Sequence, residues 1–529
     1  IPGVPAGLGL LAELDALRAA GFSNFDALAA ATSNAGTFVG KYRPGLRAFG
    51  EIKVGARPDF LLLDSDPRTD FESLRRPVRV MAAGQWVATR EDARPQPPKQ
   101  MSSDEVASDL RYFRDVYAPK ERAYTDQTRA AMVRFIEGQL ATARPMTRAE
   151  IALIFSEAQA LSGNNHTQSE FFDTESEFHP LPISFWWFTE GAVITRVHPG
   201  FEALLGARIL SIGGVPIAEA ERRVAKYISG NAVHHKDLSP SWLRRLEVLQ
   251  SIGLAGETGT TITVITKSRK RETWPMGASP TREPAVLTES WRESVVPGKG
   301  PRPWPQATDG LRPLPPYLQP PTDLTHLYLD GGDLLYLRSS NIYNVDDSNP
   351  FSGKAYNIIQ EALYRPKPPT DVALDIRFNS GGDFLKIVSL SRELVELTKP
   401  GGFIYVITGR TTNSAAILFT ALLQAAAPER TRIVGEPISD AEHFWSEGGL
   451  VETPAGLSLR YTDGYHDWAN GCRDRQRCYW PQLFDGVGAG PLRVQMPVHF
   501  TFKDYASGRD AALEAIKADR AKRKRTAVP

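Results

Sequence analysis

Cysteine is nearly absent from this chain of 529 residues: only Cys472 and Cys478 occur. They lack C-x-x-C spacing and have no histidine pair beside them, so no zinc site is indicated. A disulfide closing the short loop between them and two free thiols both stay open, and with them the compartment. No apolar run approaches the length of a membrane span. No secretory leader is recognisable after Ile1. An excess of one charge sign is missing too. Sixty-two Lys and Arg against 61 Asp and Glu leave a net charge of +1, which gives no global electrostatic case for nucleic acid or an anionic membrane. The basic run K-A-D-R-A-K-R-K-R near the end reads as the solvated end of a helix. Two further gaps matter for chemistry. Histidine does not occur before His166, and no lysine lies between Ser414 and Lys503.

What is present is globular in composition, with 42% hydrophobic and 23% charged residues. The length suffices for three or four domains. Residues 1–40 read as two helices. The run G-L-L-A-E-L-D-A-L-R-A-A-G has helical spacing and stops at Gly21, and Ser23 can cap the next helix. From Phe49 the pattern changes to short strands punctuated by Gly and Pro. Glu13, Leu14, Ala31, Thr32 and Asn34, followed by Gly50, Ile52, Gly55, Asp59, Leu63, Asp64, Asp66 and Pro67, make this segment resemble the C-terminal end of the imidazolonepropionase-like amidohydrolases. Pro58 departs from that pattern. The resemblance covers about ninety residues. That family holds its metals largely through histidines upstream of this segment, and the stretch before His166 has none. Residues 1–92 are therefore expected to be a structural remnant or the tail of a longer fusion, with no metal. A metal-dependent amidohydrolase is the disfavoured reading.

A Pro-rich linker is expected at 93–102. Residues 103–174 read as a helical bundle, opened by Ser102 with Glu105 three positions on, the spacing of a reciprocal cap. Between 175 and 276 short β-like runs dominate. The order G-A-V-I-T-R-V, then L-G-A-R-I-L-S-I-G-G-V-P-I, resembles a PDZ module. Such modules capture an extended peptide at a sheet edge. Residues 277–325, rich in proline, read as a linker or long surface loop.

From 326 to 529 strands and helices alternate, and T-D-V-A-L-D-I-R is a nearly continuous apolar strand, so successive βαβ units are expected. Two turns stand out. Asn379-Ser380-Gly381-Gly382-Asp383 follows a strand, and paired glycines there let backbone N–H groups converge. Thr412-Asn413-Ser414-Ala415-Ala416 opens a helix, where a lone serine is ordinarily a cap. Together, 33 residues apart and followed by Val434-Gly435-Glu436, they resemble the tail-specific (C-terminal-processing) serine peptidases. Asp375, Arg377, Asn379 and the closing Asp504, Tyr505, Gly508, Arg509, Asp510 and Leu513 fit as well. The resemblance runs over most of residues 103–515. It implies an α/β multidomain chain: a crotonase-like ββα core with a PDZ-like β domain and a helical bundle, preceded by the amidohydrolase-tail fragment.

The resemblance implies Ser414 as nucleophile, with the N–H groups of Gly381, Gly382 and Ala415 as the oxyanion site. Its common lysine base is missing here, as P-I-S-D-A-E-H follows V-G-E. Another branch carries D-G-H-T, and here Asn164-Asn165-His166-Thr167 stands at that place. His166 is the expected base and His443 the runner-up. Asp440, or else Asp474, would be the orienting acid. The expected activity is peptide or protein cleavage through an acyl-enzyme, with no cofactor. The alternative is an inactive, peptide-binding homologue. Oligomeric state is not readable from the sequence.

Overall fold

The computed structural model describes residues 8–43, 48–75, 77–89, 100–169, 177–279, 295, 304–320, 322–344, 349–398, 401–474, 476–479 and 487–526. Most of the stretches expected as linkers, 93–99 and 280–303 apart from Val295, lie outside these. The chain divides into two compact units, residues 1–99 and 100–529.

The first unit has three helices, α1 (Leu8–Ala19), α2 (Asn24–Ala31) and α3 (Ser33–Tyr42), one more than the apolar spacing suggested. Gly21, at φ 98°, follows α1, and the Ser23 side chain accepts the Asp26 N–H to cap α2. An antiparallel sheet of β1 (Phe60–Leu62), β2 (Arg79–Ala82) and β3 (Gln85–Thr89) completes it. Its core is small, built on Leu14, Ala27 and Phe71. Ile52 and Val54 are almost wholly exposed.

The second unit opens with β4 (Gln100–Met101), which pairs with β5 (Met146–Thr147) around the helices α4 (Ser103–Tyr112) and α5 (Asp126–Ala141). Helix α6 (Arg148–Ala160) follows. All three helices begin with a reciprocal cap, at Ser102, Thr125 and Thr147, so each fixes its own start before packing. A mostly antiparallel sheet comes next: β6 (Ile183–Phe188), β7 (Gly191–Val197), β8 (Arg208–Ile212), β9 (Val215–Pro216), β10 (Thr260–Ile265) and β11 (Arg271–Met276), in spatial order β11-β10-β8-β7-β6 with β9 beside β8. Helices α7 (Ile217–Val224), α8 (Ala232–Leu243) and α9 (Leu246–Ser251) interrupt it. One continuous core joins the bundle to this sheet through Phe113, Phe155, Ile194 and Ile262.

A second sheet of six strands forms the α/β part: β12 (Thr325–Leu329), β13 (Leu334–Arg338), β14 (Asp371–Asp375), β15 (Ile404–Thr408), β16 (Thr431–Gly435) and β21 (Met496–Pro497), in that order. All neighbours are parallel except β12 with β13. Side chains alternate between its faces. Leu335, Leu337, Val372, Leu374, Ile404 and Val406 pack under α10 (Phe351–Tyr364), α11 (Ile387–Leu397) and α12 (Ala415–Ala426). Leu334, Tyr336, Ala373, Tyr405 and Ile407 meet the C-terminal helix α14 (Ala511–Thr526) on the other face. Two hairpin-like pairs lie between β16 and β21: β17 (His443–Ser446) with β20 (Gly464–Asp467), and β18 (Gly449–Glu452) with β19 (Ser458–Tyr461). The short α13 (Phe502–Ser507) precedes α14.

The described end of the proline-rich stretch is not the surface loop expected. Trp304, Tyr317, Leu318 and Leu324 are all buried. Tyr317 and Leu318 pack with Trp186 and Phe188 of β6 and with Tyr505 of α13. Proline richness reported a lack of regular structure there, but the aromatic side chains between the prolines are the part that packs. Among the described residues no helix is long and apolar enough to cross a membrane.

Candidate active site

The turn after β14 is held at several points. Arg377 is bound between two carboxylates: its Nε donates to Asp375 (2.9 Å) and its terminal nitrogens to Asp510 (3.0 and 2.9 Å). The fully buried Asn379 works as a staple. Its amide donates to the Ser339 carbonyl (3.1 Å) and hydroxyl (2.9 Å), and its Oδ1 accepts the Gly381 N–H at 2.8 Å. Its carbonyl accepts the Asn413 N–H at 3.1 Å, which ties this turn to the one carrying Ser414. A side chain at Gly381 would sit 2.6 Å from Ser414 Cβ, and one at Gly382 2.6 Å from the Ile342 carbonyl oxygen. Both positions have positive φ, 108° and 140°. Glycine is required here by close approach as well as by conformation.

Thr412 braces the second turn, donating to the Ile376 carbonyl (2.8 Å) while its hydroxyl accepts the Gly409 N–H (2.9 Å). Ser414 then sits at the start of α12 with φ 51° and ψ −125°, and its side chain makes no capping bond. An ordinary cap would have an extended backbone and an engaged hydroxyl. A non-glycine residue in this conformation costs on the order of 1–3 kcal/mol. No acceptor among the described residues takes the N–H of Gly382 or of Ala415.

His166 lies in the turn after α6. Asn164 pins that turn to β17, accepting the Trp445 N–H (2.9 Å) and donating to the Trp445 carbonyl (3.0 Å) and to Thr167 (2.9 Å). Asn165 donates to Asn413 Oδ1 at 2.9 Å, a direct bond from the residue before the histidine to the residue before the serine. The imidazole stacks on Phe444, with centroids 5.0 Å apart and planes 13° apart. Phe444 in turn stacks on His466 at 5.0 Å and 17°, so the phenyl ring is held between two imidazoles. His466 is fixed by Glu447, its Nε2 lying 2.8 Å from the carboxylate.

Among the described residues, neither ring nitrogen of His166 has a hydrogen-bond partner. Nδ1 lies 4.0 Å from Asp440 Oδ2, a facing contact too long for a hydrogen bond. That oxygen is itself buried and unpartnered, while the carboxylate's Oδ1 accepts the Ala441 N–H at 2.8 Å. Burial holds His166 well below the ordinary imidazole range, helped by the charges of Arg460, His466 and His234. Burial likewise pushes Asp440 up to about 7. The resting site therefore favours a neutral imidazole facing a carboxyl that ionises near neutrality.

Ser414, His166, Asn165, Gly382 and Ala415 line one cavity of about 440 Å³. Phe384, Leu418, Phe444 and Trp468 give it an apolar wall. Asp440 sits behind His166, outside the lining. His443 is exposed on β17, one residue from the cavity-facing Phe444, and Asp474 is exposed near Arg477. Cys472 and Cys478 form a disulfide with Cα atoms 5.7 Å apart. It closes the loop before Tyr479, whose ring packs 5.7 Å from that of His466. Three other lining residues escaped the sequence reading: Arg460, His466 and a second buried histidine, His234, pushed down to about 3 by burial. All three lie in stretches without a motif, and only strand pairing and helix packing bring them here.

No family profile and no curated protein matches the chain. Among solved structures, mature CPAF complexed with lactacystin is similar at a TM-score of 0.50 and 12% identity, over 79% of this chain and 98% of that one. Mature CPAF alone gives 0.48 and 12%, over 79% and 96%. The photosystem II D1 C-terminal processing protease gives 0.35 and 13%, over 77% and 96%. In fold, this chain is similar to mature CPAF.

Proposed function

We propose that the chain is a serine peptidase acting on peptide or protein substrates through an acyl-enzyme. The observation that carries this reading is the strained Ser414, uncapped at the head of α12 and lining one cavity with a buried histidine that has no hydrogen-bond partner among the described residues. Ser414 Oγ attacks the scissile carbonyl carbon as His166 takes its proton. The tetrahedral intermediate collapses, His166 returns the proton to the leaving amine, and water repeats the sequence to release the acid. Asp440, ionised, faces the imidazolium formed at each step. The free N–H groups of Gly382 and Ala415 receive the oxyanion, and the dipole of α12 adds to their field. Gly381 has a different part from the one expected, because its N–H is already given to Asn379. It lets the backbone come against Ser414. The hydrogen bond between His166 and Ser414 forms when substrate fills the cavity, as catalytic contacts are often loose before binding.

In the same reading β13–β16 with α10–α12 are the crotonase-like core and β6–β11 a PDZ-like module. Asn164 and Asn165 replace Asp-Gly without removing support from His166, since both amides hold the turn in place. The test is labelling of the whole chain with a fluorophosphonate and mapping of the adduct. The expected adduct is on Ser414, lost in Ser414→Ala and reduced at least about a hundredfold in rate in His166→Gln. An adduct elsewhere, or labelling indifferent to His166, rejects the assignment and favours a peptide-binding homologue.

A further inference from the structure

Arg460 stands on β19, paired with Leu450 of β18. Its backbone is fixed on both sides: its N–H donates to the Ser169 hydroxyl (3.1 Å) and its carbonyl accepts from Gln159 (3.2 Å). Its side chain lines the cavity with Ser414 and His166. Among the described residues that guanidinium has no ion pair and no hydrogen bond, and it is only half-buried.

Elsewhere the fold pairs its sheltered guanidinium groups. Arg377 has Asp375 and Asp510, Arg520 has Asp371 and Asp330, and Arg338 donates to the carbonyls of Gln319 and Pro320. The carboxylates that line the cavity with Arg460 are engaged with other partners. Asp237 accepts from Thr411 at 2.8 Å and Glu447 holds His466. A permanent cation left unpaired in a partly desolvated cavity is costly unless a ligand completes it, and guanidinium is built to bind a carboxylate in bidentate fashion.

We propose that Arg460 is a specificity residue that binds a carboxylate of the substrate peptide, either an Asp or Glu side chain or a free C-terminus. This rests on the peptidase reading for its setting. It adds a coupling within the site. Asp440 faces His166, His466 lies beyond Phe444, and the positive charge of Arg460 works against forming the imidazolium. A substrate carboxylate that neutralises Arg460 removes that opposition when the proton must move to His166. The ligand that fits also readies the base.

The test measures binding rather than turnover, so that it can fail independently of the catalytic assignment. Fluorescent decapeptide pools, randomised except for one central Glu or Gln, are made with amidated and with free C-termini. They are titrated against the full chain carrying Ser414→Ala. The expected result is about tenfold tighter binding of a carboxylate-bearing pool over its neutral isostere. In Ser414→Ala/Arg460→Gln the ratio falls to about one, while Arg460→Lys keeps part of it and, with an unchanged circular dichroism spectrum, excludes misfolding. A Glu-over-Gln preference places the carboxylate on a side chain, and an acid-over-amide preference places it at the chain end. Equal binding of all four pools, no binding of any, or a preference that survives Arg460→Gln overturns the proposal. Fluorophosphonate labelling of Ser414 decides the peptidase reading separately.

Discussion

At the scale of single residues, the site combines strain with burial. Ser414 holds a backbone conformation suited to glycine and gains no cap in return. Ser414→Gly should therefore raise the melting temperature while abolishing labelling, because glycine relieves a strain of about 1–3 kcal/mol. A calorimetric scan showing an unchanged or lower transition would mean that the conformation stores nothing. Asp440 makes a second prediction. Its carboxyl is raised in the fold to about 7, so the folded state binds its proton more tightly than the unfolded state does. Its contribution favours folding below the unfolded value and is lost as pH climbs toward 7. Asp440→Asn should make the protein more stable at pH 8 than the parent and remove an activity limb near pH 7, with a lower plateau rate. Thermal melts and kcat/KM profiles across pH 5–9 check both. That Ser414, Gly382 and His166 would lie at one cavity could be anticipated because turn chemistry is local and each sits in a short motif. Phe444 could not be. It faces the cavity because β17 pairs with β20 in the register that sets Phe444 opposite His466, and neither strand's partner can be read from its own sequence.

At the scale of elements, the βαβ units and the capped helices followed the apolar periodicity closely, since their strands are buried on both faces and their caps are contiguous in sequence. The stretch from Trp304 to Leu324 failed for the opposite reason: its burial comes from contacts with β6 and α13, which are distant in sequence. The turn after β14 shows how elements set the site. The buried side-chain amide of Asn379 joins the end of β13 to its own turn, and its backbone carbonyl ties that turn to the one carrying Ser414. Asn379→Ala leaves several of these groups unpaired and should destabilise by at least about 2 kcal/mol. It should also slow labelling of Ser414 more than it lowers the urea midpoint would suggest, because the Gly381 N–H is released from its place. A variant that loses stability but keeps the full labelling rate in native buffer would confine Asn379 to a folding role.

At the scale of the whole molecule, the described parts of 1–99 and of 100–529 each have a core of their own. Removal of residues 1–99 is expected to leave labelling of Ser414 within about twofold and the main unfolding transition in place. Loss of both would show that the first unit supports the second. Within 100–529 the reverse holds. Asn165 and Asn413, which bond beside the histidine and the serine, are 248 residues apart in the chain. On a ribosome adding 5–20 residues per second, the histidine turn waits roughly ten to fifty seconds for its partner. The last strand of the sheet and the helix that covers its second face are made later still. If Ser414 and His166 act as proposed, nucleophile and base cannot meet until the 248 residues that separate their turns have been made. On the proposed reading, that delay keeps the base without its nucleophile while the chain between them is still being made.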